Sequence, residues 1–484
     1  MSVIGFDLPP PRVLLMLLGP VLAAGIGGPG PVVAQDRDTL SGASPPYRLL
    51  RQEERWAASP GPRAGPLGLK AMPLGPEDAV RAAVGGHVRS YARWYRNERW
   101  GAGPHRDGYL LQRAMLHGAV RTAGPPAAVR LRAFAQLKSG LVADRNAPLA
   151  PPDKDLLGLN QAFLELRAPL GAGRRLTVRV GRQELHYGAG RLIAVREGPN
   201  VRLGYDALLG RYRDNAWRVE AVAAKPTETP AGVLDNGWMP GRTLWGVFVG
   251  RRPGPDPGVS FYYVGTDRRP SPQARRLHAT RHTIGARLHE RTGRLAYDVE
   301  GALQFGRYRS STGTEGPIRA WMAAGHLGYD VPGLPGRPTI GVRADLSSGD
   351  REATTAHETF AAPYPSGRYT GAGSRLGPSN LINVRPFVGV HLHSSIRLRL
   401  RTHLFWRMQA TDALYAIWGA PLRRAPRSDA RFVGTMPEGV LTWTPTRHVS
   451  LALEASHFVP GRTLRAAPPG RGMTHLGLRA SYTF

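Results

Sequence analysis

The chain contains no cysteine among its 484 residues, so disulfides cannot hold it together. Lysine is almost absent too, although Lys and Arg number 65 against 35 Asp and Glu, for a formal net charge of +30. Lysine occurs only at Lys70, Lys138, Lys154 and Lys225. The cations are therefore almost all arginine. The chain beyond its first residues also lacks any run of about eighteen apolar residues, which argues against a helical membrane protein.

Residues 1–34 predict a secretory signal peptide. Arg12 precedes an apolar run at 13–25, and the small residues Val32 and Ala34 suit signal-peptidase cleavage after Ala34. The run is too short for a membrane-spanning helix. We therefore expect the chain to leave the cytoplasm.

The rest of the chain divides at about residue 87. Residues 35–86 are interrupted by Pro and Gly, which predicts a loop-like periplasmic segment that could be tucked in part into a lumen. Across 87–484, apolar and polar residues alternate in about eighteen segments separated by turn residues. A soluble half-buried sheet gives the same alternation, but about 25 residues per strand and connection suits tilted spanning strands. The predicted fold is a single-domain, all-β transmembrane antiparallel β-barrel of about 18 strands.

The segment IRLRLRTHL, residues 396–404, shows what the two faces would do. Ile and Leu lie on one face, and Arg397, Arg399, Arg401 and His403 on the other. If the apolar face meets lipid, the arginines look into the lumen. Guanidinium groups match carboxylate and phosphate oxygens, and a confined cationic pore concentrates anions. We therefore predict that the solutes passing through the pore are anionic.

The final eleven residues, THLGLRASYTF, form an alternating strand that ends on Phe484. An outward apolar face that finishes on Phe resembles the C-terminal signature of bacterial outer-membrane barrels, which the barrel-assembly machinery reads. Tyr and Trp near segment ends predict an aromatic girdle. The girdle candidates are Trp94, Tyr109, Tyr187, Trp245, Trp321, Trp406 and Trp443.

Several stretches resemble the alginate-export family of outer-membrane barrels. The strand–turn motif VGRQELHYGAGRL and the following REGPNVR lie within residues 159–212, and similar stretches occupy 360–386 and 405–415. The resemblance covers nearly the whole mature chain. It implies a single-chain barrel of eighteen strands whose electropositive pore passes polyanionic alginate outward from the periplasm.

Strand faces and family motifs together nominate the candidate site. The pore-lining, anion-attracting candidates are Arg182, Arg191, Arg196, Arg202, Arg397, Arg399, Arg401 and Arg407. The counter-charges expected to fix their geometry are Glu184, Asp206 and Asp412. Buried arginines need such partners. The Gly-rich loop most suspected of constricting the barrel mouth spans 363–380.

These features predict a passive bacterial outer-membrane channel for anionic solutes or anionic, alginate-like polysaccharide. Its other expected contacts are outer-membrane lipid and lipopolysaccharide, and a signal peptide makes nucleic-acid binding improbable. The sequence has no HExxH, GxSxG or Walker motif, so we expect no enzyme activity, catalytic residue, cofactor or metal. Two alternatives stay open: a barrel enzyme acting on lipid or glycan, and a structural barrel plugged by residues 35–86.

Overall fold

A computed structural model of the chain describes residues 47–54, 69–75, 79–125, 127–251, 258–269, 277–310, 313–351, 355–423 and 429–484. The predicted signal peptide, and most of the predicted segment 35–86, lie outside these residues. The regular structure of the described part is almost all β-strand. No helix within it is both long enough and apolar enough to cross a membrane.

The described residues form twenty-one strands. They are β1 (Met72–Leu74), β2 (Val80–Arg96), β3 (Arg106–Thr122), β4 (Arg130–Ala143), β5 (Asp155–Pro169), β6 (Arg175–Gln183), β7 (Tyr205–Arg213), β8 (Trp217–Pro226), β9 (Arg242–Arg251), β10 (Gly258–Arg268), β11 (Leu277–Thr292), β12 (Leu295–Ser310), β13 (Glu315–Asp330), β14 (Thr339–Ser347), β15 (Leu381–His393), β16 (Ile396–Trp406), β17 (Leu414–Tyr415), β18 (Pro421–Arg423), β19 (Phe432–Trp443), β20 (Val449–Pro460) and β21 (Met473–Thr483). Short helices cover Arg51–Glu53, Glu98–Gly101, Pro151–Asp153 and Arg462–Arg465.

Eighteen of these strands, β2 to β16 and β19 to β21, form a closed antiparallel barrel. Each pairs with its neighbours along the chain, and β21 pairs with β2 to close the ring. The pairing continues to the last residue, since the amide of Phe484 donates to the carbonyl of Gly86 (3.1 Å) and the amide of Gly86 donates back (2.9 Å). Closure leaves no unpaired edge, as a β-structure in lipid requires. The prediction of about 18 strands is confirmed.

The barrel buries polar side chains and exposes apolar ones. On β12, Val299 and Leu303 are 54% and 58% exposed, whereas Glu300 and Gln304 between them are 5% and 3% exposed. Because successive strand residues point to opposite faces, the outer wall is apolar and the inner wall polar. This is the arrangement expected of a barrel in a membrane around a polar lumen.

Long connections gather at one end of the barrel. The β5–β6, β7–β8 and β11–β12 turns are short, whereas residues 184–204 (the β6–β7 loop), 348–380 (the β14–β15 loop) and 407–431 (the β16–β19 loop) are long. Short turns mark the periplasmic end and long loops the extracellular end. The first barrel strand begins at Val80, ahead of the predicted start at residue 87, because β1 and β3 both pair with β2 there.

The aromatic girdle needs one correction. Trp321 and Trp443 lie on the outer face, 39% and 45% exposed. Tyr109 is 3% exposed on the inner face of β3, and Tyr187, in the β6–β7 loop, stacks on Phe248 inside the barrel with ring centroids 3.6 Å apart. Position near a strand end does not by itself decide which face an aromatic occupies.

Candidate functional site

The β6–β7 loop crosses the lumen. At one side, Glu197 forms an ion pair with Arg113 on β3. At the other, Arg191 donates to Glu300 (2.6 Å) and contacts Asp298 (3.1 Å), both on β12. Strands β3 and β12 lie on opposite sides of the eighteen-strand ring. The loop therefore narrows the lumen instead of extending outside it.

The β14–β15 loop enters from the far wall and meets the first loop. The amide of Ala194 donates to the carbonyl of Tyr364 (2.9 Å), and the amide of Tyr364 donates to the carbonyl of Leu192 (2.8 Å). Arg368 ties the same loop to Glu454 on β20 (Nη1 to Oε1, 2.9 Å). The suspected segment 363–380 thus contributes to a constriction built from two interlocked loops.

The N-terminal residues 47–54 occupy the periplasmic half of the lumen. The amide nitrogen of the Gln52 side chain donates to the carbonyl of Glu184 (3.2 Å), at the root of the β6–β7 loop. Arg51 is 4% exposed and donates to Thr483 on β21 (3.3 Å), while Arg132 on β4 donates to the Gln52 carbonyl (2.6 Å). This segment lies between the loop and the periplasmic opening.

Arginines cluster around single carboxylates on the inner wall. Glu165 pairs with Arg179 and with Arg167 (2.6 Å), and Arg132 lies 4.0 Å away. Further clusters of the same kind join Glu220 to Arg211 and Arg218, and Glu454 to Arg368 and Arg479. Around Glu165 and Glu454 the guanidiniums outnumber the carboxylate, whereas in the Glu220 cluster Arg211 also lies 3.7 Å from Glu53. The Glu165 and Glu454 clusters therefore keep a positive excess after pairing.

The arginines of β16 lie on this inner wall. Arg401 donates through Nε to Glu438 on β19 (2.9 Å). Arg397 and Arg399 are partly exposed and lie nearer the periplasmic end of the strand. His403, the next residue on the same face, is completely buried. The three predicted arginines of this strand thus lie along one line of the lumen.

The predicted residues Arg202 and Glu184 are brought together inside the barrel. Arg202 bridges Glu184 (3.3 Å) and Glu197, and it also donates to the carbonyl of Leu49. The guanidinium of Arg196 instead lies over the ring of Tyr364 in the β14–β15 loop, 5.8 Å from its centroid. Glu184 thus serves as a counter-charge, but these groups hold the constriction and the N-terminal segment in place.

Arg182 and Asp206 both lie on the outer face of the barrel, so the prediction that they belong to the pore needs correction. They form an ion pair with each other (Nε to Oδ1, 2.8 Å). However, Arg182 shares its face with Val180, which is 54% exposed, and Asp206 shares its face with Leu208, 56% exposed. The Trp238 indole also donates to Asp206 (2.7 Å). The alternation of β6 itself places position 182 with the lipid-facing valines, whereas the family motif alone does not distinguish the faces.

Arg407 and Asp412 also differ from the prediction. Arg407 is fully buried and donates to the carbonyls of Ala410 and Ala430, both at 2.6 Å, within the β16–β19 loop. The Asp412 carboxylate accepts from the Thr359 hydroxyl (2.7 Å) in the β14–β15 loop. Arg407 thus holds its own loop together, and Asp412 joins that loop to the β14–β15 loop.

Sequence reasoning missed Glu197, the acid on which the β6–β7 loop depends. Burial acts to raise its pKa, but Arg113 and Arg202 hold the pKa well below its usual range. Arg89 also donates to its carbonyl oxygen (2.7 Å). The sequence did contain an indication of this role, because Glu197 is the single carboxylate in the arginine-rich stretch RLIAVREGPNVR.

Groups suited to chemistry are sparse in the described residues. No cluster of three or more His, Asp or Glu among them could hold a metal ion. On the outer face, His278 Nε2 and the Thr280 hydroxyl both contact the same oxygen of Asp267, at 3.1 and 2.9 Å. The hydroxyl and the imidazole are therefore held by one carboxylate oxygen.

Comparison with solved structures shows the fold of outer-membrane porins. The barrel matches Acinetobacter baumannii OccAB3 with TM-score 0.57 and 11% identity, over 83% of this chain and 99% of that one. It matches a BenF-like porin from Pseudomonas fluorescens Pf-5 with TM-score 0.56 and 9% identity, over 83% and 98%. It matches Pseudomonas aeruginosa OpdK, solved with vanillate, with TM-score 0.52 and 11% identity, over 83% and 98%. No curated protein matches the sequence significantly.

The protein is therefore a porin-like barrel of the bacterial outer membrane. The family model described as alginate export matches residues 80–477, and the chain belongs to that family. The predicted family, fold and location are confirmed.

Proposed function

We propose that this barrel is an anion-selective channel for carboxylated solutes or an anionic polysaccharide chain. The observation that supports this most is the composition of the inner-wall clusters, where carboxylates such as Glu165 and Glu454 each contact two or more guanidiniums. Inside a narrow, low-dielectric lumen, that positive excess raises the local concentration of anions.

The line of Arg397, Arg399 and Arg401 supplies successive contacts for a moving anion. Residues two apart on a strand lie about 6.6 Å from each other, a distance over which one carboxylate can leave one guanidinium as it reaches the next. Several weak sites conduct better than a single strong one, because the solute must also leave. The partial exposure of Arg397 and Arg399 suits them to this role.

The interlocked loops favour slender cargo. Their backbone hydrogen bonds at Ala194 and Tyr364 divide the lumen, so a permeating molecule must pass beside them. Vanillate, found with OpdK, is a small aromatic carboxylate, and the alginate of the family description is a chain of carboxylated sugars. Both carry the group that a guanidinium fork binds best.

The test is the reversal potential of single channels in a planar bilayer under a salt gradient. Wild-type protein should prefer anions, and Arg399→Glu should lower that preference. Arg294→Glu, in an exposed periplasmic turn, is the matched control and should leave selectivity unchanged. Polyuronate added to one side should block the wild-type current. Cation preference in the wild type, or equal effects of the two variants, would refute the proposal.

A barrel closed by its own N-terminal segment is the second candidate. Residues 47–54 lie inside the lumen, fixed by Arg51, Gln52 and Tyr47, whose hydroxyl contacts His448 Nδ1 (2.9 Å). Under this hypothesis, deleting 47–54 should convert a nearly silent protein into a conducting one. Equal conductance with and without the segment would exclude the plug.

A further inference from the structure

The outer face of the barrel carries an arginine patch at its extracellular end. Arg307 and Arg309 on β12 share a face with Leu303 and Phe305, which are 58% and 46% exposed to the surroundings. Arg319 on β13 lies opposite Phe305 in the register and is also exposed. These guanidiniums therefore stand outside the lumen, directly above the apolar wall.

An open cavity of about 410 Å³ on the barrel surface adjoins the patch on β9 to β11. Its lining residues are Thr243, Trp245, Asp267, Arg269, His278 and Thr280. Asp267 accepts from the Thr280 hydroxyl (2.9 Å) and from Arg269 Nε (2.8 Å). Thr280 lies opposite Arg307 in the register, so cavity and patch form one surface of hydroxyl, imidazole, indole and guanidinium groups.

Below this surface the wall is apolar. Phe261, Ile284 and Leu303 are 54%, 45% and 58% exposed on the outer face of β10, β11 and β12. At the periplasmic end of the same strands, the outer face carries Glu290, whose carboxylate accepts from the Tyr297 hydroxyl (2.6 Å). At the extracellular end, four arginines outnumber the two acids Asp267 and Glu315, which pair with Arg269 and Arg309, above a surface suited to acyl chains.

We propose that this surface binds the phosphorylated glucosamine headgroup of lipid A in the extracellular leaflet. Arg307, Arg309 and Arg319 hold the phosphates, since a guanidinium fork bonds two phosphate oxygens at once. The cavity hydroxyls receive the sugar, and the acyl chains descend along the apolar wall. The anionic headgroup complements the basic patch in the way that basic clusters recognise anionic lipids. The proposal concerns the outer wall and does not depend on what passes through the lumen.

The experiment measures lipid retained by purified, delipidated protein in detergent, using native mass spectrometry. The probes are bisphosphorylated lipid A, monophosphorylated lipid A and phosphatidylglycerol. Wild-type protein should retain bisphosphorylated lipid A most strongly, and R307Q/R319Q should weaken that retention about tenfold or more. The matched control is R294Q/R337Q, which removes two exposed arginines from periplasmic turns and should retain lipid A as the wild type does.

Heat-modifiable migration on a gel checks that each variant is a closed barrel. Undiminished retention by R307Q/R319Q would overturn the proposal. Equal losses in the two double variants would overturn it as well, because binding would then follow total charge. Retention of phosphatidylglycerol as tight as that of lipid A would show a site for anionic lipids in general and would also contradict it.

Discussion

The strongest single prediction concerns Glu197, which anchors the β6–β7 loop across the lumen. The change to test is Glu197→Gln, which preserves side-chain shape and removes one negative charge. Glu197 is 4% exposed, pairs with Arg113 and Arg202, and lies 3.6 Å from Arg89. Its replacement leaves three buried guanidiniums that share only Glu184 nearby.

The expected size of the effect follows from burial. Removing one partner of a buried ion pair lowers the free energy of unfolding by about 3–5 kcal/mol, because the remaining charge stays desolvated without a counter-charge. The matched control is Glu315→Gln, which removes the partner of Arg309 at a site where the two side chains are 51% and 65% exposed. An exposed pair contributes about 0–1 kcal/mol.

The assay is guanidinium-induced unfolding of the barrel in lipid vesicles, followed by tryptophan fluorescence. Single-channel recording supplies a second observable, since a loosened loop should give frequent larger conductance steps. If the lost free energy is the energy that holds the β6–β7 loop in place, a loss of about 3 kcal/mol raises the fraction of channels with an open loop roughly a hundredfold.

The comparison of the two variants tests whether Glu197 anchors the β6–β7 loop. Equal unfolding free energies for Glu197→Gln and Glu315→Gln, together with unchanged conductance steps, would refute the assignment of Glu197 as the loop's anchor. A large loss in the exposed variant would show that burial is the wrong measure of these ion pairs.

Three further predictions follow from other contacts. Gly86→Val should abolish heat-modifiable migration, because a Cβ at Gly86 would lie 2.5 Å from the Phe484 ring, whereas Gly118→Val, with open space around it, should migrate normally. Asp412→Asn should destabilise the barrel by about 1.5–3 kcal/mol in the same unfolding assay, since its carboxylate joins two extracellular loops. Because the folded pKa of Glu197 is depressed, its stabilisation persists above the unfolded value of about 4.3 and is lost only as the pH falls through the lower, folded value. Conductance steps should therefore look the same at about pH 7 and about pH 5, and more frequent large steps at the lower pH would contradict this.

The sequence predicted the barrel well because alternation is a local signal. In β16, each residue of IRLRLRTHL lies on the face that its parity indicates, with Leu400 52% exposed and His403 buried. Such a pattern needs no knowledge of neighbouring strands. The same parity would have placed Arg182 on the outer face, had it been given precedence over motif similarity.

The lumen was much harder to predict, because its contents come from non-local contacts. Nothing in the spacing of REGPNVR indicates that Glu197 reaches Arg113 on another strand, or that Tyr364 pairs with Ala194 and Leu192. Loops that fold inward resemble loops that extend outward, since Gly, Pro and charged residues suit both. Arg407, which donates to the carbonyls of Ala410 and Ala430 in its own loop region at 2.6 Å, is likewise indistinguishable in sequence from a pore arginine.

The sharing of one carboxylate by several guanidiniums has an evolutionary consequence. At Glu165, Glu220 and Glu454, the wall becomes more positive by losing an acid, and no new arginine has to be gained. A Glu-to-Gln change needs one nucleotide, but it also removes the compensation for buried cations. A single mutation of this kind would therefore change both the charge of the solutes that the channel prefers and the stability of the barrel. The two properties would be selected together.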